Sequence, residues 1–237
     1  MKINDSGIII YSSKYQEKLL LVKLLSKNNG VVTGMTRMPS IKKSNIYSLG
    51  NIVEFQKFSR LSSQLGTITS EPIKFLHANI ILNKKNLYSF MAITKIILHA
   101  FSENDPHDES YLSFVKFLNN INLSNFSWSD YFNLENSILK ETGFGLDLTK
   151  CAVTRKDSDL KYISPKTGRA VSGEGAKGYE NVLLKLPNFL KAQNEPNSKE
   201  EILEAFELYE YFFIRHLWDI SKNTKALDLR NKLRALV

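Results

Sequence analysis

The 237-residue chain has a single cysteine, Cys151, so it makes no internal disulfide and nothing in it requires an oxidising compartment. It also lacks a long apolar run. The most apolar helical stretch, SFMAITKIILHAF, is interrupted by Lys95 and His99 and falls short of the roughly 18 apolar residues of a membrane span. The N-terminus offers one apolar triplet, too short for the core of a signal peptide. A cytoplasmic protein with no membrane partner is expected. The four histidines, at 77, 99, 107 and 216, show no metal-ligand spacing, and neither H-E-x-x-H nor G-x-S-x-G occurs. Catalysis therefore finds no support, and no catalytic residue, cofactor or metal is expected.

One formal motif is present. GEGAKG, with Gly173, Gly175 and Gly178, fits the G-x-G-x-x-G of dinucleotide sites. That motif works only between a buried strand and a helix, with an acid about 20 residues further on. Here Pro187 interrupts the segment after the glycines and Glu195 sits in a polar loop, so a plain glycine turn is the better reading.

What the sequence does hold is an apolar fraction of 43% with 26 aromatic residues, enough for a folded core, and an uneven charge. Residues 1–75 hold eleven Lys and Arg against four Asp and Glu, a net +7, whereas residues 76–237 hold 21 against 20. A positive field confined to one third of the chain points to a polyanion, most simply nucleic acid.

That third reads as five short strands. GIIIYSS (7–13), KLLLVKLLS (18–26), VVTGMTR (31–37), NIVEFQKFSR (51–60) and LGTITSEPI (65–73) are apolar or alternating, and Asn29-Gly30 is a hairpin signal. Five such strands make a small barrel or sandwich. Within the fourth, Val53, Phe55 and Lys57 fall on one side and Glu54, Gln56 and Phe58 on the other. Arg37, Lys42 and Lys43 flank a loop, Lys57 and Arg60 lie on or after the fourth strand, Lys14 and Lys27 lie near turns, and Tyr11, Tyr15, Tyr47 and Phe58 are interleaved. Cations that track phosphates and rings that stack on bases are the means of sequence-neutral single-strand binding.

From residue 84 the period becomes helical. Leu87, Phe90, Met91, Thr94, Ile97, Leu98 and Phe101 form one face. DPHD predicts a helix with Asp105 as cap and Pro106 first, carrying Tyr111, Leu112, Val115 and Leu118 inward. A third helix follows Ser127 or Ser129 and ends near Gly143. Residues 150–190 are short β-like pieces with glycines, and 191–197 read as a loop. Ser198 and Glu201 then form a capping box ahead of a strong helix, and a last short helix spans 224–237.

The segments GNIVEFQKFSRLSSQLGTITSEPI, ENDPHDESYLSFVKFLN and ETGFGLDLTKCAVTRKDSDLKYISPKTGRAVS resemble, in order, the bacterial recombination mediator RecO family. The resemblance implies an α+β chain: an N-terminal OB-fold β-barrel (1–78), then a helical domain (79–237, helices in 84–149 and 198–236) with an inserted zinc-ribbon-like module (150–190). It implies binding of single- and double-stranded DNA, annealing of complementary strands and help in loading the RecA recombinase on DNA coated by SSB, with RecR and the SSB C-terminal tail as partners.

Many members hold zinc through two Cys-x-x-Cys pairs. Here those positions read Cys151, Thr154, Ser172 and Gly175, so no metal is expected. Cys151 is expected to be a small buried hydrophobe in a module packed by Tyr162, Ile163, Val171, Val182, Leu183 and Leu186. Arg37, Lys42, Lys43, Lys57 and Arg60 are the candidate DNA contacts, with Lys166 and Arg169 as a second patch; these come from charge clustering alone. An RNA-binding barrel protein is the alternative, distinguished by its response to the 2′-hydroxyl.

Overall fold

The structure is a computed structural model that describes residues 2–40, 45–61, 65–217 and 224–237. The chain divides into two compact units, Met1–Phe126 and Ser127–Val237. The expected boundary near residue 78 marks the end of the strands, whereas the first compact unit continues through three helices.

In the first unit, β1 (Lys2–Gln16), β2 (Leu19–Ser26), β3 (Gly30–Arg37), β4 (Ile52–Phe58) and β5 (Thr67–Lys74) close into a barrel in the order β1-β2-β3-β5-β4. β1 serves two partners. Its first half pairs with β4 and its second with β2, and a register shift between Ile9 and Tyr11 bends it from one to the other. The inward positions Ile3, Ile9, Val22, Leu24, Val32, Val53, Phe55 and Ile68 fill the interior, joined by Ile46 and Tyr47 from the loop after β3.

The expected Asn29-Gly30 turn is there, and two features fix it. Asp5 accepts hydrogen bonds from the Ser26 hydroxyl, the Asn28 amide (2.8 Å) and both the Asn28 and Asn29 side chains (2.8 and 2.7 Å). Gly30 has φ +62°, and a Cβ there would collide with the Asp105 carbonyl.

The helices of this unit are α1 (His77–Ile81), α2 (Lys84–Ala100) and α3 (Asp108–Asn122). Asn83 caps α2 at the amides of Lys85 and Asn86. The buried face of α2 runs through Phe90, Ile93, Ile96 and Ile97, rotated from the expected one, with Leu87, Met91 and Leu98 only half-buried. α3 starts later than DPHD predicts: His107 occupies the cap position without a side-chain cap bond, because residues 103–105 are held along β3, Asn104 donating to the Val31 carbonyl (3.1 Å). Its buried face carries Phe114, Phe117 and Ile121 with Tyr111 and Leu118, leaving Leu112 exposed.

The second unit holds α4 (Trp128–Glu141), a three-stranded sheet in the order β7-β6-β8 (Ala170–Ser172, Leu160–Ile163, Leu184–Lys185), α5 (Asn188–Ala192), α6 (Lys199–His216) and α7 (Thr224–Arg234). Ser127 caps α4 and Gly143 ends it at φ +88°, both as expected. Ser198 caps α6 and the Glu201 carboxylate accepts from the Asn197 amide. α5 lies partly where a loop was expected. Trp128, Tyr131, Phe132, Phe189, Phe206 and Tyr209 form one aromatic core.

Within that core Arg230 of α7 is fully buried. It bonds the Glu135 carboxylate through Nε (2.8 Å) and a terminal nitrogen (2.9 Å), reaches Glu210 (3.3 Å), and lies over the Phe206 and Phe213 rings. Burial alone would lower the guanidinium pKa, but the Glu135 charge holds it above its ordinary range. Among the described residues no helix is long and apolar enough to cross a membrane.

Candidate nucleic-acid interface

Strand register places the exposed candidate cations of the barrel in two groups. β3 and β5 run parallel with Met35 beside Thr67, and Thr67 is opposite Phe58 of the antiparallel β4. Phe58 in turn faces Lys2 at the start of β1. Arg37 lies two residues beyond Met35 in the direction β5 runs, whereas Arg60 lies two beyond Phe58 on the antiparallel β4, so the two diverge from the Met35–Thr67–Phe58 level, roughly 13 Å apart along the strands. Arg37 also pairs with Leu19, beside the β1–β2 hairpin that carries Lys14, Tyr15 and Lys18.

Lys2, Lys14, Lys18, Arg37 and Arg60 are all exposed, and none is held in an ion pair with a described residue. In the β1–β2 hairpin Glu17 is the carboxylate beside Lys14 and Lys18, while the strands themselves carry Asp5, Glu54 and Glu71. Within each group, Lys14, Lys18 and Arg37 or Lys2 and Arg60, the charges lie on neighbouring segments within about a Debye length of 8–10 Å, so their fields add. Phe58 is 65% exposed and Tyr15 53%, offering ring faces beside the cations. Tyr47 is buried, its oxygen 3.0 Å from the Thr36 hydroxyl, and Tyr11 is half-buried.

The barrel flank is of opposite sign. A groove of about 620 Å³ there is lined by Asp5, Glu54 and Glu71 with Lys27 the only cation among its lining residues. Burial pushes the Asp5 carboxyl up, but hydrogen bonds from Ser26, Asn28, Asn29 and Ser6 outweigh it and hold Asp5 below its ordinary range. A phosphate backbone is repelled from this flank.

Lys57 corrects an expectation. It lies on the inward side of β4 between Ile3 and Ile68 and is 4% exposed, so it is no surface contact. Burial pushes its ammonium pKa down, with Glu103 opposing. The alternation of β4 already put Lys57 beside Val53 and Phe55. Lys42 and Lys43 lie outside the described residues. Lys2 and Lys18 were missed; the signal for Lys18 was its place between two strands with only Glu17 beside it in the turn.

In the second unit Lys166 is exposed in the β6–β7 hairpin, while Arg169 is half-exposed and paired with Asp147 at 3.3 Å. Hydrogen bonds from Thr149, then Arg169, hold the Asp147 carboxyl low. An exposed pair of this kind is worth less than about 1 kcal/mol, so phosphate can compete for Arg169. The GEGAKG segment is a run of turns followed by a 3-10 turn at Glu180–Val182, with no helix to receive a phosphate.

Cys151 is fully buried, as expected, but not in apolar surroundings. Its sulfur accepts from the amides of Val153 (3.4 Å), Thr154 (3.3 Å) and Ser172 (3.2 Å) and from the Ser172 hydroxyl (3.3 Å). Burial pushes the thiol up, yet these donors outweigh it and bring it down to about 6, from an ordinary 9.0. Ile163, Val171 and Leu186 pack the module, whereas Val182, expected inside, is 65% exposed.

The zinc implied by the family resemblance does not fit here. One thiol, two hydroxyls and a glycine stand at the four positions, and among the described residues no group of three His, Cys, Asp or Glu could hold a metal ion.

Comparison with known proteins bears on the whole chain. Residues 1–76 match the family model "Recombination protein O N terminal" and residues 84–225 match "Recombination protein O C terminal". The chain is 37% identical over 226 residues to "DNA repair protein RecO" of Rickettsia peacockii, covering 95% of each. It is 37% identical over 229 residues to that of Rickettsia felis (97% of this chain, 96% of the relative) and 37% over 218 residues to that of Rickettsia bellii (92% and 90%). With its two halves matched in order by the two family models and its length spanned by such relatives, the chain belongs to the RecO family of DNA repair and recombination proteins.

Proposed function

We propose that this protein is a non-enzymatic recombination mediator of the cytoplasm. Its N-terminal barrel is an OB-fold that binds single- and double-stranded DNA through its exposed cations, and the small C-terminal sheet is a zinc-ribbon-like module without metal. The protein anneals complementary strands. Together with RecR, and through the SSB C-terminal tail, it helps RecA load on SSB-coated DNA. The observation that carries this reading is the set of exposed barrel cations held in no ion pair with a described residue, Lys14, Lys18 and Arg37 around exposed Tyr15 and Lys2 and Arg60 beside exposed Phe58.

The mechanism needs no bond to be made or broken. Two strands repel through their phosphates, and a cationic surface that holds both lowers that repulsion while counterions are released. Arg37 and Arg60 are the central contacts, joined by Lys42 and Lys43, which follow Arg37 in the sequence. Lys166 and Arg169 form the second patch. Lys57 has no contact role.

The test is annealing of complementary oligonucleotides without ATP, with bare and SSB-coated strands, at low and high salt. Annealing that is fast at low salt, falls steeply with salt and needs no nucleotide is expected. A strict nucleotide requirement would replace the reading with an enzymatic one, and tighter binding to RNA than to DNA of the same sequence would replace it with RNA handling.

A further inference from the structure

The two turns 151–154 and 172–175 are far apart in sequence yet face each other across one sulfur atom. Within the first turn the Val153 and Thr154 amides point at Cys151 Sγ. From the second, the Ser172 amide and hydroxyl do the same. The Ser172 oxygen is itself engaged three ways: it donates to the sulfur, accepts from the Gly175 amide (3.1 Å), and lies 3.4 Å from the Thr154 hydroxyl.

Gly175 completes the set. A Cβ built on it would lie 3.1 Å from Cys151 Sγ and 3.3 Å from the Ser172 hydroxyl, so its missing side chain also faces the common centre. Its backbone is outside the left-handed region, so glycine stands there for lack of room and not for its dihedral freedom. Further backbone bonds hold the first turn in place: Cys151 N to the Lys156 carbonyl (2.7 Å), Arg155 N to the Cys151 carbonyl (3.0 Å) and Ala152 N to the Ala170 carbonyl (2.8 Å).

The frame is therefore that of a four-ligand site drawn in around a single sulfur. In such a site each amide that points at a thiolate would ordinarily share it with a cation. Here the donors themselves saturate the sulfur, and among the described residues there is no second thiol or imidazole for an ion to use.

We propose that the module of residues 150–190 is organised by Cys151 as a sulfur acceptor in place of a metal ion, that it folds metal-free, and that positions 154, 172 and 175 still converge closely enough to bind zinc if given thiols. The inference is independent of the DNA reading, and its test uses no DNA.

The experiment takes the full chain. Metal analysis after purification is expected to find no stoichiometric zinc, and a strong chelator is expected to leave the thermal melt unchanged. Cys151→Ala, which strands the buried Ser172 amide and two partly buried ones, is expected to lower the melting midpoint by on the order of 5 °C. Ser172→Ala removes one hydroxyl donor and is expected to lower it by a smaller amount with native circular dichroism, which keeps the test readable if Cys151→Ala fails to fold. The triple variant Thr154→Cys, Ser172→Cys, Gly175→Cys is expected to take up one zinc per chain, and cobalt(II) in its place should give thiolate charge-transfer absorption that the parent lacks. One zinc per parent chain whose removal lowers the melt would overturn the proposal. So would both alanine variants melting like the parent, or a folded triple variant that takes up no cobalt.

Discussion

Reversing Arg37 and Arg60 together, as Arg37→Glu and Arg60→Glu, tests the basic surface of the barrel quantitatively. Five exposed cations lie on it in two groups, Lys14, Lys18 and Arg37, and Lys2 and Arg60. Each phosphate contact on a single strand contributes about 0.7 to the slope of log K against log salt, so five contacts give a slope of about −3.5 and three give about −2.1. At about 0.1 M salt, one decade below the 1 M reference, losing two contacts lowers log K by about 1.4, roughly 25-fold. The two new carboxylates add repulsion, so that figure is a floor. Fluorescence anisotropy of a labelled oligothymidine, titrated at several salt concentrations, measures both quantities. Lys57→Met is the internal control: it removes a positive charge from the same segment, but one that faces the barrel interior, and should leave the slope unchanged. A double variant with native circular dichroism and an unchanged slope would refute the reasoning. A slope that falls as far for Lys57→Met would do so as well.

Lys57→Met should also stabilise the barrel by about 1 kcal/mol in denaturant melts, because the stem keeps its packing between Ile3 and Ile68 while an unpaired ammonium leaves a buried site. The Lys57 pKa is depressed in the folded state, so the unfolded chain binds more protons at alkaline pH. Parent stability rises with pH in that range, and the advantage of the variant should shrink there. Cys151 has a folded thiol pKa of about 6 against an ordinary 9.0, so its contribution is full above pH 9.0 and is lost as pH falls through 6. Amide exchange in residues 150–190 should therefore accelerate toward pH 6 relative to a Cys151→Ser variant, after correction for intrinsic exchange. Gly30→Ala should cost about 2–4 kcal/mol, since a Cβ at φ +62° meets the Asp105 carbonyl; an unaffected melt would mean that residues 103–105 are not held against β3.

The barrel was legible because its signals are local. Alternation in β4, the Asn29-Gly30 turn and the β-branched runs each fix a strand without reference to the rest of the chain. The caps at Ser127 and Ser198 and the stop at Gly143 were legible for the same reason. The start of α3 was not. Asp105 and Pro106 carry a local cap signal, but the segment before α3 is recruited as a bridge to β3, and that tertiary demand prevails. The rotated face of α2 has a related origin: Ser89 is buried through its hydroxyl bond to the Asn86 carbonyl, so polarity misreports burial there.

At the candidate site, charge clustering found Arg37 and Arg60 but could not say that they leave β3 and the oppositely directed β4 in separate groups. It also misplaced Lys57, whose neighbours in the alternation carried the correct answer. The surroundings of Cys151 were the least legible. Three of its four hydrogen bonds come from backbone amides, which have no signature in residue identity.

Arg230 has a consequence for anyone shortening this chain. The last eight residues are easily mistaken for a dispensable tail, being a short amphipathic stretch after a polar connection. Removing them would strip Glu135 of its counter-charge at a fully buried position, beside Tyr131, which already donates to it. Damage would then surface in α4, 95 positions upstream of the cut. Fusions and affinity handles belong after Val237 and never in its place.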